Sequence, residues 1–142
     1  MKDKDGTEAE ERELQTERAS KREELRTSRE MFASAFNVSK DACVISNLET
    51  GKVIDVNLAW LSAQGWTREE VVGKTSASMN IWESESDRKR FYEAIERQDQ
   101  LKDFELNFLT KSGEARSYLV DTTLVKTSEG TYLFTSSTDI TE

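Results

Sequence analysis

Almost every large apolar side chain of this chain lies after residue 30. Residues 1–30 contribute little beyond Leu14 and Leu25 to any interior. A core must therefore be built from Met31 onward, and that stretch is long enough for one core and too short for two. The chain divides on this ground into a charged arm, residues 1–30, and a folded part, residues 31–142.

The arm reads as helix. No Gly or Pro interrupts residues 8–36, and Glu8–Arg12 and Glu17–Lys21 are i,i+4 pairs with the acid first. Its apolar stripe is thin. A heptad seam through Leu25 and Phe32 also takes in Arg18, Lys21 and Ser28. Such a helix is marginal alone. The expectation is a signalling or dimerising coiled coil, with Leu25 and Phe32 as its contact residues; the plain alternative is a solvated linker. The last turns, Met31, Phe32, Ala35 and Phe36, become apolar.

After Lys40 the period changes to two. Ala42–Ser46 and Lys52–Val56 form a hairpin around the turn Glu49-Thr50-Gly51-Lys52. Asn57 caps a short helix that ends at Gly65. Thr67-Arg68-Glu69-Glu70 opens another as a capping box. Ser84 caps a longer helix to about Gln98, with Phe91, Ala94 and Ile95 on one face. Three strands follow. Phe104, Leu106 and Phe108 alternate with polar residues. Arg116–Lys126 places Tyr118, Val120, Thr122 and Leu124 on one face, and Tyr132–Ile140 is last. Five strands in two groups require one antiparallel sheet, with the helices on one side: an α+β fold. A cavity between sheet and helices is the natural ligand site.

Composition removes several kinds of chemistry. Twenty-eight acidic against twenty basic residues leave a net charge of −8. That balance does not fit non-specific nucleic-acid binding, which needs a basic surface, or an anionic membrane, so no nucleic-acid partner is expected. No apolar run approaches about 20 residues, so no direct membrane insertion is expected. The single cysteine, Cys43, precludes an internal disulfide. There is no histidine, hence no Ser–His or Cys–His pair and no His-held zinc or haem. Gly73-Lys74-Thr75 resembles the end of a P-loop, but Arg68 stands where its first glycine is needed. No catalytic residue and no metal ligand is expected, and the protein is read as a non-enzyme of the cytoplasm.

The order of elements and several short motifs together resemble a PAS domain over residues 29–142. Gly51-Lys52-Val53-Ile54-Asp55-Val56-Asn57 is similar to that family's Gly-x-Ile-x-x-x-Asn segment. Gly65-Trp66-Thr67-Arg68-Glu69-Glu70-Val71-Val72-Gly73-Lys74 resembles its Gly-Tyr-x-x-Glu-Glu-hydrophobic-x-Gly-Lys. Trp82 ahead of Asp87-Arg88, the turn Lys111-Ser112-Gly113-Glu114 and the terminal Asp139-Ile140-Thr141-Glu142 complete the set.

The resemblance implies a PAS-like five-stranded antiparallel sheet with short helices on one face and a long N-terminal helix before it. It also implies a sensory or interaction module without catalysis. Such a module passes a ligand- or partner-dependent change to an output domain, such as a histidine kinase or diguanylate cyclase, in a longer parent protein. The parent could be membrane-tethered. A homodimer is expected. The candidate pocket residues are Ile45, Leu61, Met79, Trp82, Phe91, Phe104, Leu106, Tyr118, Thr122, Thr135 and Ser137. Strand period leaves open which face of the last strand turns inward. Asp139 and Thr141 are the candidate signal-relay residues. The ligand is unknown. Covalent flavin chemistry is disfavoured because Gly73–Trp82 carries no cysteine, and haem because the usual histidine is missing. The alternative is a dimerisation scaffold whose cavity is filled by Phe91, Phe104, Leu106, Phe108, Tyr118 and Phe134. A small α+β enzyme is a third, weaker reading.

Overall fold

The computed structural model describes residues 4–141. Met1–Asp3 of the charged arm and Glu142 of the terminal motif lie outside the described residues. The chain divides into two compact units, residues 1–36 and 37–142.

The first unit is helical. α1 spans Lys4–Val38, so the boundary expected after residue 30 falls within one uninterrupted helix. The reason is local: no helix breaker stands at residues 30–38, and Met31-Phe32-Ala33-Ser34-Ala35-Phe36 continues the helical run. Arg26 pairs with Glu23 and approaches Glu30 at 4.0 Å along the helix. The rings of Phe32 and Phe36 stack one turn apart, with centroids 5.3 Å from each other. Leu25 and Phe32 each stand 50% exposed. No helix among the described residues is long and apolar enough to cross a membrane.

The second unit is a five-stranded antiparallel sheet with helices packed on one face. Its strands are β1 (Ala42–Asn47), β2 (Val53–Val56), β3 (Gln100–Leu109), β4 (Ala115–Thr127) and β5 (Gly130–Asp139). Between the two strand groups lie α2 (Leu58–Gln64), α3 (Arg68–Val71) and α4 (Glu85–Gln98). The spatial order is β2-β1-β5-β4-β3, so the last strand made is the central one. β5 pairs with β1 on one side and β4 on the other, for example Val44 with Thr135 and Val120 with Ser137.

Local chemistry fixes each helix start. The Asn57 side chain accepts from the Trp60 N–H at 3.0 Å, and that of Ser84 from the Asp87 N–H at 3.0 Å. Thr67 and Glu70 form the reciprocal capping box at the head of α3. Gly65 closes α2 at φ 80°, where a side chain would be strained. α4 ends more abruptly. Asp99 takes φ 59° and turns the chain straight into β3 without a loop.

β3 begins four residues earlier than the alternation of Phe104–Phe108 predicts. Asp103 at φ 52° bulges the strand, and its N–H is held by the Asp121 carboxylate at 2.8 Å. The bulge breaks the period and hides the first half of the strand from pattern reading.

The connection from α3 to α4 reaches both edges of the sheet. At one end, Gly73 donates to the Val53 carbonyl and Val53 to that of Lys74, both at 2.8 Å, along β2. At the other end, Leu109 of β3 donates to the Ile81 carbonyl at 2.7 Å, and Trp82 bridges to Phe108. Residues 73–82 therefore strap across the helical face from edge to edge, pairing with Lys52 and Val53 at the head of β2 and with β3 at its Phe108–Leu109 end.

The interior forms two apolar clusters. One gathers Ala42, Val53, Val56, Trp60, Val71 and Ile81. The other gathers Phe91, Ile95, Leu101, Leu106, Tyr118, Val120 and Leu133. Asn57 sits at the foot of the first, fully buried. Its Oδ1 also accepts from the Cys43 N–H at 2.9 Å, and its Nδ2 donates to the Asp41 carbonyl at 2.9 Å. Replacing Asn57 by Ala strands two buried N–H groups and one carbonyl. The expected cost is about 2–4 kcal/mol, read as a lower urea midpoint with an unchanged slope.

Candidate functional site

The inward face of the sheet is set by parity. Ala42, Val44 and Ser46 of β1 stand beside Ser137, Thr135 and Leu133 of β5, and these β5 residues are buried. The open question of which side of the last strand faces inward is thus answered: Leu133, Thr135 and Ser137 do. Tyr118, Val120 and Thr122 of β4 share this face.

Where the two apolar clusters meet, a cavity of about 80 Å³ remains. Its sheet wall is Ala42, Val44, Ser46, Leu106, Leu133, Thr135 and Ser137. α2 contributes Trp60 and Gln64, and α4 contributes Phe91 and Tyr92. The strap closes it with Ser76, Ile81 and Trp82. Gly51 and Tyr92 also line a shallow surface cleft with Leu48, Glu49, Thr50 and Arg88, which marks the entrance.

Aromatic rings make the α4 side of the wall stiff. Trp82 meets Phe108 edge-on at 5.0 Å and lies 5.7 Å from Phe91. The Trp82 indole N–H donates to Ser76 Oγ at 2.8 Å, which fixes the ring against the strap. Burial raises the Tyr92 phenol above its ordinary value, so it remains protonated.

The polar lining residues are Ser46, Gln64, Ser76, Tyr92, Thr135 and Ser137. The hydroxyls of Thr122 and Thr135 bond each other at 2.9 Å. Gln64 is 3% exposed and its Nε2 donates to the Tyr118 hydroxyl at 3.2 Å. Burial raises Tyr118, with the charge of Asp139 acting in the same direction. Among the described residues, no Lys, Arg, Asp or Glu lines the cavity.

The structure brings together five of the expected pocket residues: Trp82, Phe91, Leu106, Thr135 and Ser137. It places six elsewhere. Ile45 has the wrong parity and sits on the opposite sheet face from Val44. Leu61 and Met79 pack against the Val56–Trp60 cluster. Phe104 packs on Phe91 and under Arg90, whose guanidinium lies 4.4 Å from the ring. Tyr118 is core and touches the cavity only through Gln64. Thr122 stands behind Thr135, its hydroxyl already bonded. Gln64 escaped sequence reading, although it lies four residues after Trp60 on the same helix face, the spacing that would have found it.

Beyond the cavity, the end of β5 is fastened to β4. Ile140 donates to the Ser117 carbonyl at 2.9 Å, and the Ser117 N–H donates to Thr141 Oγ1 at 2.8 Å. Asp139 Oδ1 accepts from the Thr141 N–H at 2.8 Å, while Oδ2 faces Arg116 at 3.3 Å. Thr141 first, and then Arg116, holds the Asp139 carboxyl below its usual value. Arg116 in turn is raised, chiefly by Glu114. A second clamp joins α3 to the β3–β4 turn. Lys111 Nζ donates to Glu70 at 2.7 Å, and with the Thr67 N–H it lowers the Glu70 carboxyl to about 2.

A family model described as PAS domain matches residues 40–142. The chain belongs to the PAS family. No individually curated protein matches it. Among solved structures, a PAS domain from a two-component sensor histidine kinase superposes with TM-score 0.70 at 14% identity, covering 81% of this chain and 98% of that one. The PAS domain of an HTR-like protein from Haloarcula marismortui gives 0.67 at 21% identity, covering 87% and 99%. That of the fruit-fly ELK potassium channel gives 0.64 at 18%, covering 80% and 97%. At these identities the likeness is one of fold. PAS domains are sensory modules, generally without catalysis, and commonly bind small ligands and dimerise.

The threonine pair gives a test of the wall. Thr135→Val alone leaves the Thr122 hydroxyl buried and unpaired, at a cost of about 1–3 kcal/mol, whereas Thr122→Val with Thr135→Val restores most of it. Urea denaturation of the two single variants and the double reads the coupling.

Proposed function

We propose that this PAS domain senses occupancy of its cavity and relays the change through β5 to the Asp139–Thr141 junction. The carrying observation is that one strand does both jobs. Leu133, Thr135 and Ser137 line the cavity, and the same strand ends at the Asp139 and Thr141 bonds to Arg116 and Ser117. A strand cannot move against its neighbours by less than a register step without bending or loosening its end. A cavity occupant can bias such an end only by binding one arrangement better than the other.

In this reading residues 31–142 are the sensor, and the charged helix before them is a signalling segment. The output domain belongs to a longer parent protein in the cytoplasm. No catalysis is assigned: the cavity wall carries no nucleophile–base pair. The cavity is far smaller than the roughly 300–1,000 Å³ of pockets that enclose drug-sized ligands, which does not favour flavin or haem. The scaffold alternative draws on the same smallness, since Phe91, Leu106 and Phe108 already fill much of the interior. A remaining cavity with an entrance at Gly51 and Tyr92 favours the sensor.

Enlarging a side chain inside the cavity mimics an occupant. Val44→Leu should change hydrogen exchange at the Ser117, Ile140 and Thr141 amides several-fold, whereas Val125→Leu, at an exposed position on β4, should not. Equal protection in the two variants would count against a relay.

α1 is proposed as the dimer contact, on the half-exposed Leu25 and Phe32 of one seam. Both replaced by Glu, they should weaken self-association at least tenfold in sedimentation velocity, since each puts a charge into an apolar seam. An unchanged dimer would move the interface elsewhere.

A further inference from the structure

The middle of the strap is a turn of its own. At one end Gly73 and Lys74 are bonded to Val53 and Thr75 bridges to Lys52; at the other the Ile81 carbonyl accepts from Leu109. Between these ends the backbone bonds stay inside the turn. The Met79 N–H donates to the Thr75 carbonyl at 3.2 Å, that of Asn80 to Ala77 at 3.3 Å and that of Ile81 to Ser76 at 3.2 Å. Ser78 likewise bonds Thr75 through both its N–H and its hydroxyl. Ala77, Ser78 and Asn80 are exposed. Two left-handed residues bound the turn, Gly73 at φ 86° and Asn80 at φ 55°, and hinges are commonly placed at such element-terminal positions.

Two side chains tie this turn to the body of the domain. Met79 packs, partly buried, against the cluster around Val56 and Trp60. Ser76 makes the polar tie, its Oγ accepting from the Trp82 indole at 2.8 Å. Trp82 is itself anchored on β3 by its bridge to Phe108 and the edge-on contact of the two rings. The Ser76 hydroxyl also stands near enough to the Tyr92 phenol of α4 to oppose the effect of burial on it. Ser76, Trp82 and Tyr92 all line the cavity, and Tyr92 lines the entrance cleft as well. A Cβ on Gly51, the other residue of the entrance, would lie 3.9 Å from the Thr75 methyl, so the β1–β2 turn abuts the strap there. One hydroxyl thus sits where strap, β3 and α4 meet at the mouth of the cavity.

We propose that residues 76–80 are the gate of the cavity and that Ser76 is its latch. While the Ser76–Trp82 bond holds, the space between Trp82 and Tyr92 is closed; when it breaks, the turn swings on its two ends and admits an occupant. This rests on the sensory reading and supplies its control, since access then sets how fast the module responds. One neutral hydrogen bond changes an opening equilibrium by about threefold to tenfold, enough for a single substitution to show.

A thiol on the cavity wall reads the gate. Val44→Cys places one there, in a Cys43→Ser background, while Cys43 of the wild type is buried on the opposite face of the same strand and serves as the reference. Both proteins are alkylated with iodoacetamide in rising urea below the unfolding transition. The wall thiol is expected to react at a rate nearly independent of urea. Ser76→Ala should raise that rate about threefold to tenfold and leave that of Cys43 unchanged. Trp82→Phe, which keeps a ring and removes the donor, should do the same, and Ser76→Thr, which keeps the hydroxyl, should leave the rate as it was. A urea-independent rate that neither Ser76→Ala nor Trp82→Phe changes would overturn the latch and leave the cavity accessible, so the sensor stands. Equal acceleration of the wall thiol and of Cys43 would assign Ser76 to global stability and overturn the latch as well. A wall thiol that reacts only in step with Cys43 as urea rises would close the cavity to any occupant and overturn both readings.

Discussion

One side chain holds the β1–β2 hairpin to the helical layer. Asn57 is fully buried and spends both ends of its amide on backbone: the N–H groups of Cys43 and Trp60, and the carbonyl of Asp41. It is at once the cap of α2 and a rung that ties the start of β1 to the residue after β2. That double role sets where α2 leaves the sheet, and so directs Trp60 and Gln64 into the interior. The cap alone would be worth about 1 kcal/mol on an exposed helix. Buried, with three backbone partners, it governs the geometry of everything α2 touches.

Much of this arrangement was legible in the chain because it is written locally. Asn57, Thr67 and Ser84 announce helix starts, and Gly65 announces an end, through bonds that span only a few residues. The antiparallel sheet followed from counting five strands with no room for a second layer. The site was less legible, and for definite reasons. Ile45 was placed in the pocket although Val44 beside it faces inward, and a one-residue error in a strand exchanges the two faces. Phe104 and Tyr118 have the right parity, but Phe104 packs on Phe91 under Arg90 and Tyr118 is core, while Leu106 between them in the sheet reaches the cavity. The first half of β3 was missed because the Asp103 bulge interrupts its alternation. A polar residue on a short helix, as Gln64 is, reads as surface unless its phase with Trp60 is followed.

The cavity reflects a balance between filling and sensing. Trp82, Phe91, Tyr92 and Phe108 occupy the space on the α4 side with rings at right angles or tilted to one another. On the α2 side the smaller Ala42, Val44 and Ser137 leave a gap, which Trp60 and Gln64 also line. A protein interior is otherwise packed like a crystal. Here the departure from close packing lies against the strand that ends at Asp139. PAS domains with larger cavities need not share this chemistry, since shape and lining change with each side chain on an unchanged backbone.

The strand order carries a consequence for how the molecule assembles. β1 and β2 are neighbours in sequence and can close early, as can β3 and β4. Neither hairpin touches the other until β5 is inserted between them. During synthesis the two halves must therefore wait, with their central edges bare, for the last ten residues of the sheet to leave the ribosome. Contacts of such long sequence separation slow folding, and unpaired edges are where chains find the wrong partner. The strap of residues 73–82 pairs with the outer edges alone, at Val53 and Leu109, and does nothing for the inner ones. The nascent chain is consequently most exposed to chaperones and to aggregation just before its final strand emerges.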